Sequence, residues 1–487
     1  MAVRTDPIAK IIVDDIRGDV DVELWHTADG QTYFSMKKGL DGHFEHHLLR
    51  DKRTKQWLAA RYYNNSALRE VASSSALSSA ISVLEGIAQE GPTYETYIRI
   101  GGKDGSIYID LGDTSWKAVE ITSTNWHVIP NPPVKFQRTN GMLSLPEPVE
   151  GGSLDEDLRP LLTLDSDDSW LLVKGWLLGL LLPKGPHPIL AFRGEQDTAK
   201  SYTQKTLRAI VDPSVLPMRR PAKKVEDLMI AARNNWVVSF DNMSKISDDL
   251  SDDLCCLATG GGIAKRALWT DTNETILRVC NPIIMNGIGN IITRPDLLDR
   301  SIYITLLPIP PNSRRAEGDL IHEFNEKMPK ILGALLDSAV IALQKQDEIT
   351  LNDPYRMAGF VKFAAAGLGD EGDKFQAAYK ENRDYAIKEV IADDVLVNWL
   401  MRFIPQFCRS SGFMNPEQDE HCWKGNATDL LTLIQRDLEG THAAQIPGGA
   451  GALSFKLRNL APALRKVGIR AEKDKARTWK IGVMKPE

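Results

Sequence analysis

The sequence predicts an α/β protein with a parallel core in the middle of the chain, a mixed α+β region before it, and a helical segment and a small basic domain after it. Three observations carry this expectation. His187–Val211 (HPILAFRGEQDTAKSYTQKTLRAIV) reads as a short apolar strand, a tight polar loop and a helix with Leu207, Ile210 and Val211 on one side. From about Asp155 to Pro311, strands and helices alternate as they do around a parallel sheet. After Pro311 the pattern turns helical, and the chain closes on helix, helix and two short strands.

The bulk numbers set the frame. A chain of 487 residues suggests about two to four domains. A hydrophobic fraction of 43% and a charged fraction of 25% are those of a soluble globular protein. The net charge of −6 excludes a basic coat over the whole surface, so any contact with nucleic acid must come from local patches. Cys255, Cys256, Cys280, Cys408 and Cys422 form neither a C-x-x-C pair nor a Cys/His ligand set, which points to a reduced compartment and no structural zinc. The first twenty residues carry acids where a secretion signal needs an apolar core, so a cytoplasmic protein of a bacterial or phage-infected cell is expected. Trp170–Leu182 is strongly apolar but too short for a membrane span, contains Lys174, and leads into the strand at Pro188; it reads as a buried helix.

In chain order, residues 1–150 are a mixed α+β region. A helical rhythm sets in near Lys55–Ala88, and residues 94–138 form short alternating runs parted by GGKDG, GDTS and TSTN, a β-meander by its turn chemistry. Pro146–Asp157 reads as a linker. The core spans 151–312, with a short apolar strand Pro188–Phe192 before the polar loop. A helical region spans 313–410, beginning with a helix at about Leu320–Gln344. Residues 411–487 give one helix, a second broken by Pro462, and two strands around a charged tip, the outline of a winged helix. Residues 451–487 hold ten Lys/Arg against three Asp/Glu. Lys456, Arg458, Arg465, Lys475 and Arg477 are the candidate DNA contacts there.

The loop before Lys200 has the composition of a phosphate cradle. The pattern G-x-x-x-x-G-K-[ST] is met at Gly194, Lys200 and Ser201, with Ala199 where the second glycine belongs. Loop and helix N–H groups converge on phosphate oxygens, a lysine adds mobile charge, and a serine hydroxyl can ligate Mg²⁺. The candidate triphosphate-binding residues are Gly194, Glu195, Gln196, Asp197, Thr198, Ala199, Lys200, Ser201 and Tyr202. Alanine at 199 is harmful only where the backbone needs positive φ.

Such a site needs an acid at the end of a second strand. Trp236–Phe240 is that strand, and Asp241 follows it; Ser201 and Asp241 are the expected metal ligands. Where a general base would stand, the next residue is Asn242, which can hold water but cannot take its proton. Glu195 is a candidate substitute. A third strand ends in Asn286, placed to sense a terminal phosphate. Arg294 and Arg300 flank a short helix, and Arg300 is the candidate arginine supplied to a neighbouring subunit, against the plainer reading of ion pairs with Asp296 or Asp299.

With these residues in view, 187–310 resembles a AAA+ ATPase of the superfamily III helicase type, close to the helicase halves of phage and poxvirus primase-helicases. Leu257–Ile288 is the most telling stretch: Gly260–Gly262, then Ile263-Ala264-Lys265-Arg266, a hairpin region at Thr270–Glu274, and the strand ending in Asn286. The IAKRAL segment is also similar to minichromosome maintenance helicases. The resemblance implies ATP and Mg²⁺, a hexameric ring, pore hairpins placing Lys265 and Arg266 on DNA, and Lys200, Asp241, Asn242, Asn286 and Arg300 as catalytic residues. The expected function is an ATP-dependent helicase or translocase acting on single-stranded or forked DNA in replication of a phage or mobile element, beside a separate primase or polymerase and away from membranes. The alternative is an ATP-binding initiator or assembly switch with little hydrolysis. Ala199, Asn242 and Asp299 depart from the family pattern, and residues 1–150 carry no primase signature.

Overall fold

The fold is described from a computed structural model of the chain, for residues 7–38, 42–66, 69–222, 224–244, 246–266, 274–278, 280–392, 394–410, 420–438, 446–475 and 478–484. Before residue 150 the described residues build three sheets, one of them only the short parallel pair Thr96–Tyr97 with Lys135–Phe136. Val22–His26, Thr32–Lys38 and His43–Leu48 form an antiparallel sheet that packs with the helices Ile8–Arg17, Lys52–Asn65 and Ser74–Glu90 around Ile12, Ile16, Phe34, Leu58, Leu77 and Leu84. Asp51 and Ser73 cap the second and third helices by accepting from Arg53 N and Ala76 N, which satisfies donors the first turn leaves open. The meander expected over 94–138 is present as Ile100–Lys103, Ser106–Asp110, Ala118–Ile121 and Trp126–Ile129, paired antiparallel in sequence order. Asp104 and Gly105 both take positive φ, which a tight hairpin requires.

Pro146–Asp157 is not a loose linker. Val149 N donates to Pro329 O at 2.9 Å, and Leu154 and Leu158 are buried. The backbones lie so close that a Cβ on Gly333 would sit 1.9 Å from Val149 O, and one on Gly152 2.0 Å from Lys330 O. Only glycine allows that approach. Trp126 Nε1 adds a 2.7 Å bond to Asp337 on the same helix, Glu317–Lys345.

The core is a four-stranded parallel sheet in the order Val238–Met243, Ile283–Gly287, Ile189–Arg193, Ser301–Thr305. A parallel bridge between Arg219 and Phe240 extends its outer edge. Sheet residues such as Leu190, Phe192, Val238, Ile284 and Ile302 are fully or almost fully buried, as continuous apolar strands of a covered parallel sheet must be. The apolar segment expected as a buried helix is Asp167–Gly179, capped by Ser166 and buried from Ser169 to Gly179. Trp176 Nε1 donates to Pro188 O at 3.0 Å, tying it to the start of the Ile189–Arg193 strand. Its one buried cation, Lys174, meets Asp155 at 3.3 Å and Glu371 at 2.5 Å. No helix among the described residues is long and apolar enough to cross a membrane.

Beyond Glu317–Lys345, Ala358–Gly367, Gly372–Ala392 and Val395–Ser410 complete the helical region. The last segment contains the expected helices, Ala427–Asp437 and Ala450–Lys466, and the hairpin Ile469–Lys473 with Trp479–Val483, joined by a third strand, Glu420–Gly425. Two expectations fail here. The second helix runs through Pro462 rather than breaking there, held by buried Leu453, Leu457 and Leu464. Cys408 is disulfide-bonded, against the expectation of a reduced compartment, while Cys255, Cys256 and Cys280 are free thiols.

Two buried histidines make the fold acid-sensitive. Burial lowers His187 to a pKa of about 4, although its ring bonds Gly179 O at 3.0 Å. Burial, aided by nearby Lys135, lowers His46 to about 3. Each therefore binds a proton in the unfolded chain from pH 6.5 downward and does not in the folded one, so stability falls as pH drops below 6.5. Roughly 2 kcal/mol per histidine is lost by about pH 5. A thermal melt should show Tm falling between pH 7 and pH 5, with a shallower slope in His187→Gln.

Candidate functional site

The three features read as one site from the sequence meet at the carboxyl ends of adjacent parallel strands, the edge where open α/β sheets hold ligands. Ile189–Arg193 runs into the Gly194–Ala199 loop, and Lys200–Ala209 follows as a helix whose first N–H groups face that loop's side of the sheet. Gly194 has no room for a side chain: a Cβ would lie 2.6 Å from Leu306 O and 2.9 Å from Thr198 Oγ1. Ala199 sits at φ 56°, ψ 25°, so the position does need the left-handed conformation that glycine would supply without strain. Asp197 and Asn242 are likewise left-handed, at φ 64° and 55°. Three strained non-glycine residues around one sheet edge are a recurrent mark of functional sites.

Lys200 is held inside the loop. Its ammonium donates to Gly194 O at 2.8 Å, to Thr198 Oγ1 at 3.0 Å, and to Glu195 O, and burial pushes its pKa down. Ser201 Oγ donates to Asp241 Oδ1 at 3.2 Å. Asn286, 2% exposed, is the hub: its amide nitrogen donates to Asp241 Oδ1 and to Gln204 Oε1, both at 2.7 Å, and its oxygen accepts from Asn242 N at 3.1 Å. Gln204, fully buried, passes the network on to Ser239 Oγ at 2.8 Å and Phe240 O at 3.0 Å.

Chemically, the arrangement offers a cation and free helix N–H groups beside a hydroxyl and a carboxylate whose oxygens are a hydrogen bond apart. Such a set suits a phosphate group, and its two oxygen donors suit a hard divalent cation.

Other expected residues stand apart. Glu195 contributes its carbonyl, while its side chain is exposed, as is that of Gln196. Tyr202 is 8% exposed, with its hydroxyl lacking a hydrogen-bond partner. Arg300 lies at the opposite, amino-terminal edge of the sheet, where its carbonyl accepts from Ile189 N. It is 6% exposed and bound to Asp296 Oδ1 at 2.5 Å, which matches the ion-pair reading rather than a free guanidinium. Arg294 pairs with Asp252 at 2.8 Å. Lys265 and Arg266 belong to a two-stranded antiparallel hairpin, Gly262–Arg266 with Glu274–Arg278, in which Arg266 pairs in register with Glu274; Thr270 and the rest of the expected tip up to residue 273 lie outside the described residues. In the last segment Arg458, Arg465 and Lys475 are exposed, Lys456 is bound to Asp394 at 2.8 Å, and Arg477 lies outside the described residues.

Sequence reasoning missed Gln204, whose signal was a lone amide one turn beyond Lys200 on the face that meets the sheet. It also missed Arg193, which spans Thr305 Oγ1 at 2.7 Å and Asn290 Oδ1 at 3.1 Å. A third was Arg356, half-exposed and sharing Asp296 with Arg300 at 3.2 Å.

Comparison with known proteins now adds to the geometry. Residues 155–386 match the replication protein of actinomycete integrative conjugative elements, and residues 411–486 match the C-terminal domain of the same protein, RepA. Over these two stretches the chain is similar to replication proteins of mobile elements. The first match contains the whole site, from the Gly194–Ala199 loop to Asn286. Among solved structures, the A-form apo structure of the NrS-1 C-terminal region is similar at 14% identity over 98% of this chain and 100% of that one, with a TM-score of 0.42. A second apo structure of that region is similar at 13% identity, over 99% and 100%, with a TM-score of 0.41. No curated protein matches the chain.

The hub sets a stability prediction. Asn286→Ala strands Gln204 Oε1, Asp241 and Asn242 N inside the fold and should cost about 2–3 kcal/mol in urea unfolding. Asn242→Ala, at an exposed side chain but a left-handed backbone that asparagine tolerates better than alanine, should cost less, up to about 1 kcal/mol. Ala199→Gly should not destabilise, and relief of left-handed strain should raise stability by up to about 1 kcal/mol.

Proposed function

We propose that this replication protein is an ATP-driven DNA translocase or helicase that works as a ring. The observation that supports it best is the convergence of Lys200, Ser201, Asp241 and Asn286 at one sheet edge, with Ser201 Oγ 3.2 Å from Asp241 Oδ1. On this reading the Gly194–Ala199 loop and the first turn of Lys200–Ala209 cradle the phosphates, and Lys200 exchanges its loop oxygens for phosphate oxygens. Mg²⁺, held through Ser201 and Asp241, would supply positive charge against the charge that grows on the phosphates. Asn286 fixes the Asp241 carboxylate and, through Asn242 N, the backbone beside it, so a water held by Asn242 has a set position. The Gly262–Arg278 hairpin with Lys265 and Arg266 is the assigned grip on DNA, and the last segment, read as a winged helix, adds Arg458, Arg465 and Lys475. In a ring, a neighbour's arginine would complete the site. Arg300 serves only by leaving Asp296, whereas Arg356 beside it is already half-exposed.

A second reading, an ATP-binding initiator that hydrolyses slowly, is favoured by one observation: Asn242 stands where a base is needed, and the Glu195 carboxylate is exposed rather than joined to the Asp241 network.

Steady-state ATPase assays separate the two. For a translocase, single-stranded DNA stimulates turnover, and Lys200→Ala lowers it by on the order of a hundred-fold or more. Wild-type turnover that ignores DNA, with Asn242→Glu raising it on the order of a hundred-fold, identifies the slow switch instead. Lys200→Ala hydrolysing ATP at the wild-type rate would remove both.

A further inference from the structure

Between the Ser301–Thr305 strand and the Glu317–Lys345 helix, the chain crosses directly over the Gly194–Ala199 loop. Leu306 N donates to Arg193 O at 2.8 Å, and Leu306 O closes the space above Gly194. Ile309 N reaches Asp197 O at 3.4 Å. Arg314 then turns back: Nε donates to Ile309 O at 3.3 Å, and Nη2 to Asp197 Oδ2 at 3.3 Å. The crossing segment is thus fastened to the loop at both ends, and the outer fastening is a single ion pair.

That pair is weak where it stands. The side chains of Arg314 and Asp197 are 50% and 70% exposed, a setting in which ion pairs contribute little. Asp197 is also held at φ 64°. A polyphosphate in the loop would bring several negative charges and oxygens in the fork geometry that guanidinium binds in bidentate fashion, a stronger partner than one exposed carboxylate.

We propose that Arg314 is a phosphate-binding residue of this site, released from Asp197 and transferred to the terminal phosphate of a bound nucleoside triphosphate. The assignment rests on the nucleotide reading above. It gives Asp197 a role as the placeholder that keeps the guanidinium at the loop. The exchange also has a mechanical side. Arg314 lies three residues before the Glu317–Lys345 helix, whose first turn already meets the Lys200–Ala209 helix through Glu317 and Lys205 at 3.3 Å. The same helix carries Pro329 and Asp337, the partners of Val149 and Trp126. A shift of Arg314 toward the phosphates therefore pulls on an element that touches both the loop's own helix and the region before residue 150.

The test is equilibrium binding of fluorescent ATP and ADP analogues to the full chain, wild type and variants, with circular dichroism to confirm folding. Arg314→Ala should weaken the triphosphate by about ten- to hundred-fold and the diphosphate little, with Arg314→Lys in between. Asp197→Asn, which frees Arg314, should tighten the triphosphate or leave it unchanged. If Lys200→Ala abolishes binding while Arg314→Ala leaves the triphosphate-to-diphosphate ratio as in wild type, the nucleotide reading stands and the role of Arg314 is overturned. Equal weakening of both nucleotides by Arg314→Ala overturns it as well. If the wild-type chain binds neither analogue, the nucleotide reading falls, and this inference with it.

Discussion

The site depends on one buried amide. Asn286 holds Asp241, Gln204 and the backbone of Asn242 with three hydrogen bonds, and it is almost fully excluded from water. Those partners come from the Val238–Met243 strand and the Lys200–Ala209 helix, and Asn286 stands on a third element, so the amide sets where the ends of two strands and the side of a helix stand relative to one another. In a low-dielectric interior each unpaired member would be costly, which locks the set into one arrangement. The geometry of Ser201 and Asp241 is a consequence of that lock rather than of their own single contact at 3.2 Å.

Around this rigid hub the backbone is strained. Asp197, Ala199 and Asn242 take left-handed conformations without being glycine, each at a cost on the order of 1–2 kcal/mol. The surrounding bonds supply the restraint: Lys200 and Thr198 close the loop on itself, and Asn286 pins Asn242. A rigid sheet edge and a strained loop in contact are a sensible division of labour. The edge fixes charge positions, and the loop can change shape when something binds.

Much of this was legible in the sequence where the signal was local. The strand, loop and helix around Gly194 follow from period and turn chemistry, and Asp241 and Asn286 stand out as polar residues closing apolar runs. What was not legible needed partners far along the chain. Gln204 is indistinct until Asn286, 82 residues away, is beside it. The strain at Ala199 is invisible because alanine does not announce a left-handed backbone. Arg300 reads from its place in the sequence as an arginine offered to a neighbour, and only packing shows it buried against Asp296. At Pro462 a local rule was overridden by the apolar face of the helix, in which buried leucines outweigh one lost backbone bond. The likeness to mobile-element replication proteins over 155–386 takes in the whole site, and site geometry alone does not point to it.

The interlock of Val149 and Gly152 with Lys330 and Gly333 bears on how the protein can be divided. The stretch of chain that enters the core is wedged into the helix Glu317–Lys345, which begins only after the whole core has been traversed. Cutting at residue 150 would therefore bare a groove on Glu317–Lys345 shaped for glycine-close backbone, with Asp337 deprived of its tryptophan. Front and rear portions of this chain are stitched rather than strung, and shuffling either one into another protein carries the other along.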